Sequence, residues 1–201
     1  MKIGVLALQG DFAAHARMLG RLGAEAVEVR DAASLESVEA LVIPGGESST
    51  MLKLITDESL TNPITDFARS GRPVFGTCAG AILLARRVRN PEQPSLNLID
   101  IDVARNAYGR QVDSFVAAVD TELDGGPLEA VFIRAPRITG VGPGVEVLAS
   151  HRGEPVLVRS GSIMAGTFHP ELTDDTRVHR LLVEQVRGVT IKHDAHIAPA
   201  V

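Results

Sequence analysis

The chain has no tryptophan, a single tyrosine and a single cysteine. One cysteine excludes an internal disulfide, so the sequence points to a reducing compartment, by default the cytoplasm. With aromatics at only 3% of residues, the core must rest on Val, Leu, Ile and Ala. Basic residues are not in excess: 20 Lys and Arg against 25 Asp and Glu give a net charge of -5. No basic cluster carries interleaved aromatics, which argues against a nucleic-acid surface. No apolar run is long enough to span a bilayer. The apolar start, Ile3 to Leu8, leads into the polar turn Gln9-Gly10-Asp11 without a small-residue cleavage site, so it reads as a first strand rather than a signal peptide. No Walker A pattern or Gly-x-Gly-x-x-Gly follows a strand, which argues against phosphate or dinucleotide binding. His15, His151, His179, His193 and His196 lack mutual metal-ligand spacing. Most of them are expected on the surface or on helix faces, and no metal is assigned.

What is present fits one domain of ordinary size, 201 residues with 45% hydrophobic content and no interior boundary. The first half alternates short β-branched runs with helical patterns. Strands are expected at 3–8, 26–29, 40–43 and 73–75. Helices are expected at 12–22, after a cap at Ser48 or Ser49, at 63–69, and at 79–85 with Arg86 and Arg87 in its last turn. That alternation implies an α/β fold, a mostly parallel central sheet with helices on both faces. The stretch 89–96 is rich in proline and polar residues and reads as a loop. Beyond Ile101, strand-like pieces at 112–119, 130–134, 145–149, 156–159 and 163–168 suggest antiparallel additions. A last helix is expected at 176–187. The domain is drawn as 1–191, with 192–201 a loosely held tail.

Chemistry gathers first around Cys78, in Gly76-Thr77-Cys78-Ala79-Gly80 between a strand-like and a helix-like run. Glycines two residues either side of the thiol suit a strand-to-helix nucleophile elbow, and a helix start beyond the sulfur favours thiolate. A lone cysteine can equally be an inert small hydrophobe in a core. His169 and Glu171, in Phe168-His169-Pro170-Glu171-Leu172, would face one side of an extended segment, base beside carboxylate. The same residues also suit a His-Pro turn closing a strand. Pro44-Gly45-Gly46-Glu47-Ser48-Ser49 follows a third strand, where glycine N–H groups can turn to a ligand. By itself it reads as a plain turn entering a capped helix. Three such segments at strand C-termini would converge on one crevice in a doubly wound sheet.

Together these segments resemble the triad glutamine amidotransferases. Leu8-Gln9-Gly10-Asp11-Phe12, Arg105-Asn106-Ala107-Tyr108-Gly109-Arg110-Gln111, Ser114-Phe115 and Phe132-Ile133-Arg134-Ala135-Pro136 are similar, more narrowly, to the glutaminase subunits of pyridoxal 5'-phosphate synthases. The resemblance implies a flavodoxin-like amidotransferase fold and hydrolysis of L-glutamine to glutamate and ammonia. It implies a γ-glutamyl thioester on Cys78, with His169 shuttling the proton and Glu171 orienting it. It puts the oxyanion hole on the N–H groups of Gly46 and Ala79, and the glutamine contacts on Gly46, Glu47, Ser48, Arg105, Ile133 and Arg134. Gln9 falls where the family arranges the oxyanion loop when its partner docks. That partner would be a separate barrel synthase subunit taking the ammonia; pyridoxal phosphate would be its product, so no cofactor is expected here. Two positions depart from the family's usual residues, Val116 for glutamate and Ser49 for threonine. Rival readings are a glutaminase serving the imidazole-glycerol-phosphate system, a cysteine hydrolase of other amides or esters, and a binding module with a dead site.

Overall fold

The computed structural model describes residues 1–105 and 114–188. The N-terminal half builds strands β1 (Lys2–Leu6), β2 (Glu25–Val29), β3 (Ala40–Ile43) and β4 (Val74–Thr77). Between them run helices α1 (Phe12–Arg21), α2 (Ala32–Glu36), α3 (Ser48–Asp57) and α4 (Thr61–Arg69). Successive strand residues point to opposite faces, and in β3 both sets are apolar. Leu41 and Ile43 join the core holding Met51, Ile55, Ile64 and Phe67. Ala40 and Val42 join the core holding Leu19, Leu181 and Leu182. A strand buried on both faces needs helices on both, which is the expected parallel arrangement.

The second half adds α5 (Ala79–Leu84), β5 (Ala85–Arg89), β6 (Ile99–Ala104), β7 (Phe115–Thr121), β8 (Leu128–Phe132), β9 (Arg137–Val141), β10 (Glu146–His151), β11 (Glu154–Ser160), β12 (Ile163–Gly166) and α6 (Arg177–Val186). The main sheet has nine strands in the order β2-β1-β3-β4-β12-β11-β10-β7-β8. Its first five strands are parallel and the rest antiparallel. A smaller sheet orders β5-β6-β9. The α/β class with a mostly parallel core and antiparallel additions is therefore as the sequence indicates.

Five local expectations change. The piece at 163–168, grouped with the antiparallel additions, ends at Gly166 and enters the central sheet parallel to β4, burying its residues between neighbours on both sides. The helix after Cys78 ends at Leu84, and Arg86 and Arg87 lie in β5 rather than in a last helical turn. There they meet carboxylates of the adjacent β6: Arg86 reaches Asp100 at 2.8 Å and Asp102 at 3.2 Å, and Arg87 reaches Asp102 at 3.3 Å. Helix α3 is capped not by Ser48 or Ser49 but by Glu47, whose carboxylate accepts the N–H groups of Ser49 and Thr50. A short helix, α2, fills the 32–36 connection that carried no strong pattern. Ile133 and Arg134 lie just past the end of β8 rather than within a strand. The segment 106–113, the tail 192–201, and with them His193 and His196 lie outside the described residues.

Candidate active site

Cys78 occupies the single residue between β4 and α5, with φ 48° and ψ -102°. A positive φ in a residue with a side chain is strained by about 1–3 kcal/mol, and the surroundings must hold it there. They do so through the Cys78 N–H, which donates to the Gly166 carbonyl at 2.8 Å, and the Cys78 carbonyl, which accepts from Ile82 at 3.2 Å. The flanking glycines serve a second purpose, close approach. A Cβ on Gly76 would stand 2.6 Å from the Gly80 carbonyl carbon, and one on Gly80 would overlap the Ile43 carbonyl. The elbow is thus pressed onto β3 and carries its thiol, 7% exposed, at the sheet's C-terminal rim.

The base arrives from the far end of the chain. β12 inserts beside β4 in parallel, with Gly166 opposite Thr77. Three residues later the His169 N–H donates to Val131 at 2.8 Å. His169 Nδ1 lies 2.7 Å from Glu171 Oε1, leaving Nε2 for the sulfur side. The extended geometry expected for this pair is not what joins them. Pro170–Leu172 forms a 3-10 turn that folds the carboxylate back under the ring. Burial opposes charge on His169, but hydrogen bonds to Cys78 and Glu171 and their charges outweigh it, raising it from 6.5 to about 10. The imidazole is therefore poised as imidazolium beside the sulfur. Glu171 is 5% exposed.

In front of the sulfur opens a cleft of about 290 Å³, lined by Gln9, Gly46, Glu47, Ser48, Cys78, Ile82, Arg105, Ile133, Arg134, Pro136 and His169. It brings together every residue the sequence nominated except Ala79, which starts α5 behind the thiol, and Glu171, which lies behind His169. Arg134 has φ 45° and Ile133 is 36% exposed at the mouth. The Ile133 carbonyl is 3.9 Å from Cys78 Sγ. Gly46 packs directly against Gln9, since a Cβ there would stand 2.6 Å from Gln9 Oε1. The same Oε1 accepts the Glu47 N–H at 3.0 Å. Arg105 Nη2 donates to Glu47 Oε1 at 3.3 Å and to Ser49 Oγ at 3.0 Å. Hydrogen bonds from Thr50 and Ser49 draw the Glu47 carboxyl down from 4.5 to about 2. Val116, 62% exposed on β7, is not part of the cleft.

Sequence reasoning missed two groups. Gln93, in the loop after β5, accepts from Ser48 Oγ at 3.0 Å and Ser49 Oγ at 3.2 Å; its polar loop gave no signal. His15 and His179, expected on the surface or on helix faces, lie on helices α1 and α6 but on their buried faces, behind Glu171. For His15 a signal existed: it sits four residues before Leu19, on the face of α1 that turns to the sheet. Among the described residues, no group of three His, Cys, Asp or Glu is arranged to hold a metal ion. Nor is any helix among them long and apolar enough to cross a membrane.

The SNO glutamine amidotransferase family matches residues 5–188. The chain belongs to that family. Curated relatives of this SNO-family chain include the "Pyridoxal 5'-phosphate synthase subunit PdxT" of Koribacter versatilis, 58% identical across 94% of this chain and 97% of the relative. The protein of the same description from Solibacter usitatus is 53% identical across 92% and 99%. A solved structure described as a glutamine amidotransferase superposes with a TM-score of 0.86 at 48% identity, covering 92% of this chain and 98% of that one. A structure described as PurLQS from Thermotoga maritima, 15% identical with a TM-score of 0.71, shares the fold.

Proposed function

We propose that this SNO-family chain hydrolyses L-glutamine to L-glutamate and ammonia, and delivers the ammonia to a separate synthase subunit that makes pyridoxal 5'-phosphate. The observation that carries the chemistry is the placing of Cys78 and His169 after the adjacent parallel strands β4 and β12, with His169 Nδ1 2.7 Å from Glu171 Oε1, both Cys78 and His169 lining one cleft with charged walls. The ammonia's destination rests on the relatives described as synthase subunits.

The cycle follows from the groups present. The Cys78 sulfur attacks the side-chain amide carbon of glutamine, forming the C–S bond. The oxygen that takes the charge lies toward the N–H groups of Gly46 and Ala79, the oxyanion hole of this reading. His169, already protonated, gives its proton to the departing nitrogen; the C–N bond breaks and ammonia leaves. Neutral His169 then removes a proton from water as the water oxygen attacks the γ-glutamyl thioester. Collapse breaks the C–S bond and frees glutamate, and His169 is again the imidazolium beside the sulfur. Glu171 holds Nδ1 throughout, so that Nε2 is the nitrogen facing the reaction.

An arginine fork matches the substrate's α-carboxylate, and Arg105 and Arg134 stand at the cleft wall for it. Glu47 and Ser48 are the acceptors on hand for the α-ammonium. In the free chain Arg105 and Glu47 neutralise each other across the cleft, so glutamine must separate them. Gln9 holds Gly46 and Glu47 from the opposite side, so it is the residue through which a docked partner would set the oxyanion loop.

Replacing Cys78 tests the whole reading. With a purified synthase subunit, Cys78→Ala is expected to abolish glutamine-dependent synthesis and leave synthesis from ammonium salts intact. A variant that keeps its glutamine-dependent rate would remove Cys78 from the mechanism. Ammonia release stimulated only by an imidazole-glycerol-phosphate synthase would reassign the partner.

A further inference from the structure

Behind Glu171 lies a buried polar cluster for which the Cys78–His169–Glu171 cycle has no use. Glu171 Oε1 is engaged by His169, but Oε2 has no hydrogen-bond partner among the described residues. An unsatisfied carboxylate oxygen in a dry site costs folding free energy, so its surroundings need an account. Beside it stands His15, whose Nε2 lies 3.4 Å from Oε2, with 0% and 1% of the two side chains exposed. The contact falls short of full hydrogen-bond geometry because the same Nε2 also addresses Thr77 Oγ1 at 3.2 Å. Thr77 is the residue preceding the nucleophile. On its other side, His15 Nδ1 lies 2.9 Å from His179 Nε2, contributed by α6. His179 in turn packs edge-on against Phe75 of β4, with ring centroids 6.0 Å apart.

The proton positions follow from these partners. One of His15 Nδ1 and His179 Nε2 must donate to the other. If His15 donated, its Nε2 would carry a bare lone pair aimed at a buried carboxylate oxygen. If His179 donates, His15 carries its proton on Nε2, toward Glu171 Oε2 and Thr77 Oγ1. Only the second arrangement gives the orphaned oxygen a donor. Both rings remain uncharged for this: burial, with His179 and then His169 nearby, holds His15 well below 6.5, and burial takes His179 down to about 4. The titratable groups facing His15 are thus Glu171, His179 and His169, while Arg17, Arg21, Glu129 and Asp174 line a pocket that Glu171 also borders. A neutral donor can steady the carboxylate without cancelling the negative charge that His169 relies on; a cationic one would compete for it.

We propose that His15 is a positioning residue for glutamine hydrolysis: held in its Nε2–H form by His179, it fixes the second oxygen of Glu171, so that three distant segments (α1, the turn after β12, and α6) aim His169 at Cys78. The inference deepens the glutaminase reading and rests on it for the reaction, but its geometry concerns the thiol–imidazole pair alone. It adds an orienting layer of the kind that commonly stands behind a reacting histidine's carboxylate.

The test compares three replacements. Gln places an amide N–H near the position of Nε2, Asn places one near Nδ1 instead, and Leu fills the space with no donor. In the complex with the synthase, His15→Leu and His15→Asn are expected to lower glutaminase kcat by about 10–100-fold with KM for glutamine unchanged, and His15→Gln to recover most of it. A second readout needs neither glutamine nor partner: the pH dependence of Cys78 alkylation by chloroacetamide in the chain alone. There the step at which His169 gives up its proton is expected to move to lower pH in His15→Leu and to return in His15→Gln. Should His15→Leu fail to fold by far-UV circular dichroism, the polar pair Gln and Asn decides the matter alone. Folded variants with wild-type kcat and alkylation profiles, or Gln and Asn equally impaired, would overturn the proposal. If glutamine is not the substrate, the alkylation profiles still respond while hydrolysis does not, so the two failures are distinguishable.

Discussion

In front of Cys78 stand Glu47, Arg105 and Arg134, charged groups reaching into an open cleft and, in the free chain, partly paired with one another. Behind His169 stand Glu171, His15 and His179, packed with almost no exposure and joined by short polar contacts. The front must exchange its contacts for those of a substrate at each turnover, and water is available to its groups when they part. The rear side chains are buried, so a partner lost there leaves a polar group without its hydrogen bond. One site thus combines a rearrangeable wall with a fixed one, and substitutions should behave differently on the two sides: rear losses in turnover, front losses in affinity.

The strongest challenge to that contrast is Glu171→Gln. It removes the charge that holds His169 protonated and should cut turnover by about 10²–10⁴-fold, the span usual for disrupting acid–base catalysis, with little change in KM. It carries a stability signature as well. His169 rises from 6.5 to about 10 on folding, so its contribution is complete below pH 6.5 and is lost as pH climbs through about 10. In Glu171→Gln that alkaline loss should be smaller in urea unfolding measured between pH 7 and 10; an unaltered profile would mean that Glu171 does not support the charge. On the front, Arg105→Ala should raise KM for glutamine about 10–100-fold, the value of a charge-assisted hydrogen bond of about 1.5–3 kcal/mol, while kcat changes far less. A fall in kcat at constant KM would place Arg105 with the rear group instead. The smallest effect is expected at Glu47→Ala, where loss of the α3 cap should lower unfolding stability by about 1 kcal/mol, read as a shift in urea midpoint.

The front was largely legible in the sequence because its residues sit in short contiguous motifs. Gly76 to Gly80 announces a tight elbow, and Pro44 to Ser48 a turn after a buried strand. Which strand end would meet which was harder to read, since β12 is separated from β4 by most of the second half and its run, 163–168, groups by pattern with the antiparallel pieces rather than with β4. Glu47, a substrate contact by resemblance, also caps α3, its carboxylate accepting the N–H groups of Ser49 and Thr50. For Arg86 and Arg87 the good helix formers before them favour the end of a helix. Pairing with β6 and its aspartates overrides that local preference. The rear was barely legible. His15 and His179 lie 164 residues apart and belong to no shared motif, so their contact follows only from α1 and α6 packing on the same face. Spacing along α1 pointed His15 inward, but nothing in the chain said what it would find there.

The insertion of β12 between β4 and β11 has a consequence for the order of events on the ribosome. The thiol is translated directly after β4, whereas its imidazole partner comes only with β12, from residue 163 onward. Until β12 is in place the chain lacks both the Gly166 carbonyl that holds the Cys78 N–H and the imidazole that serves its thiol. One late strand therefore completes the elbow and delivers its base together.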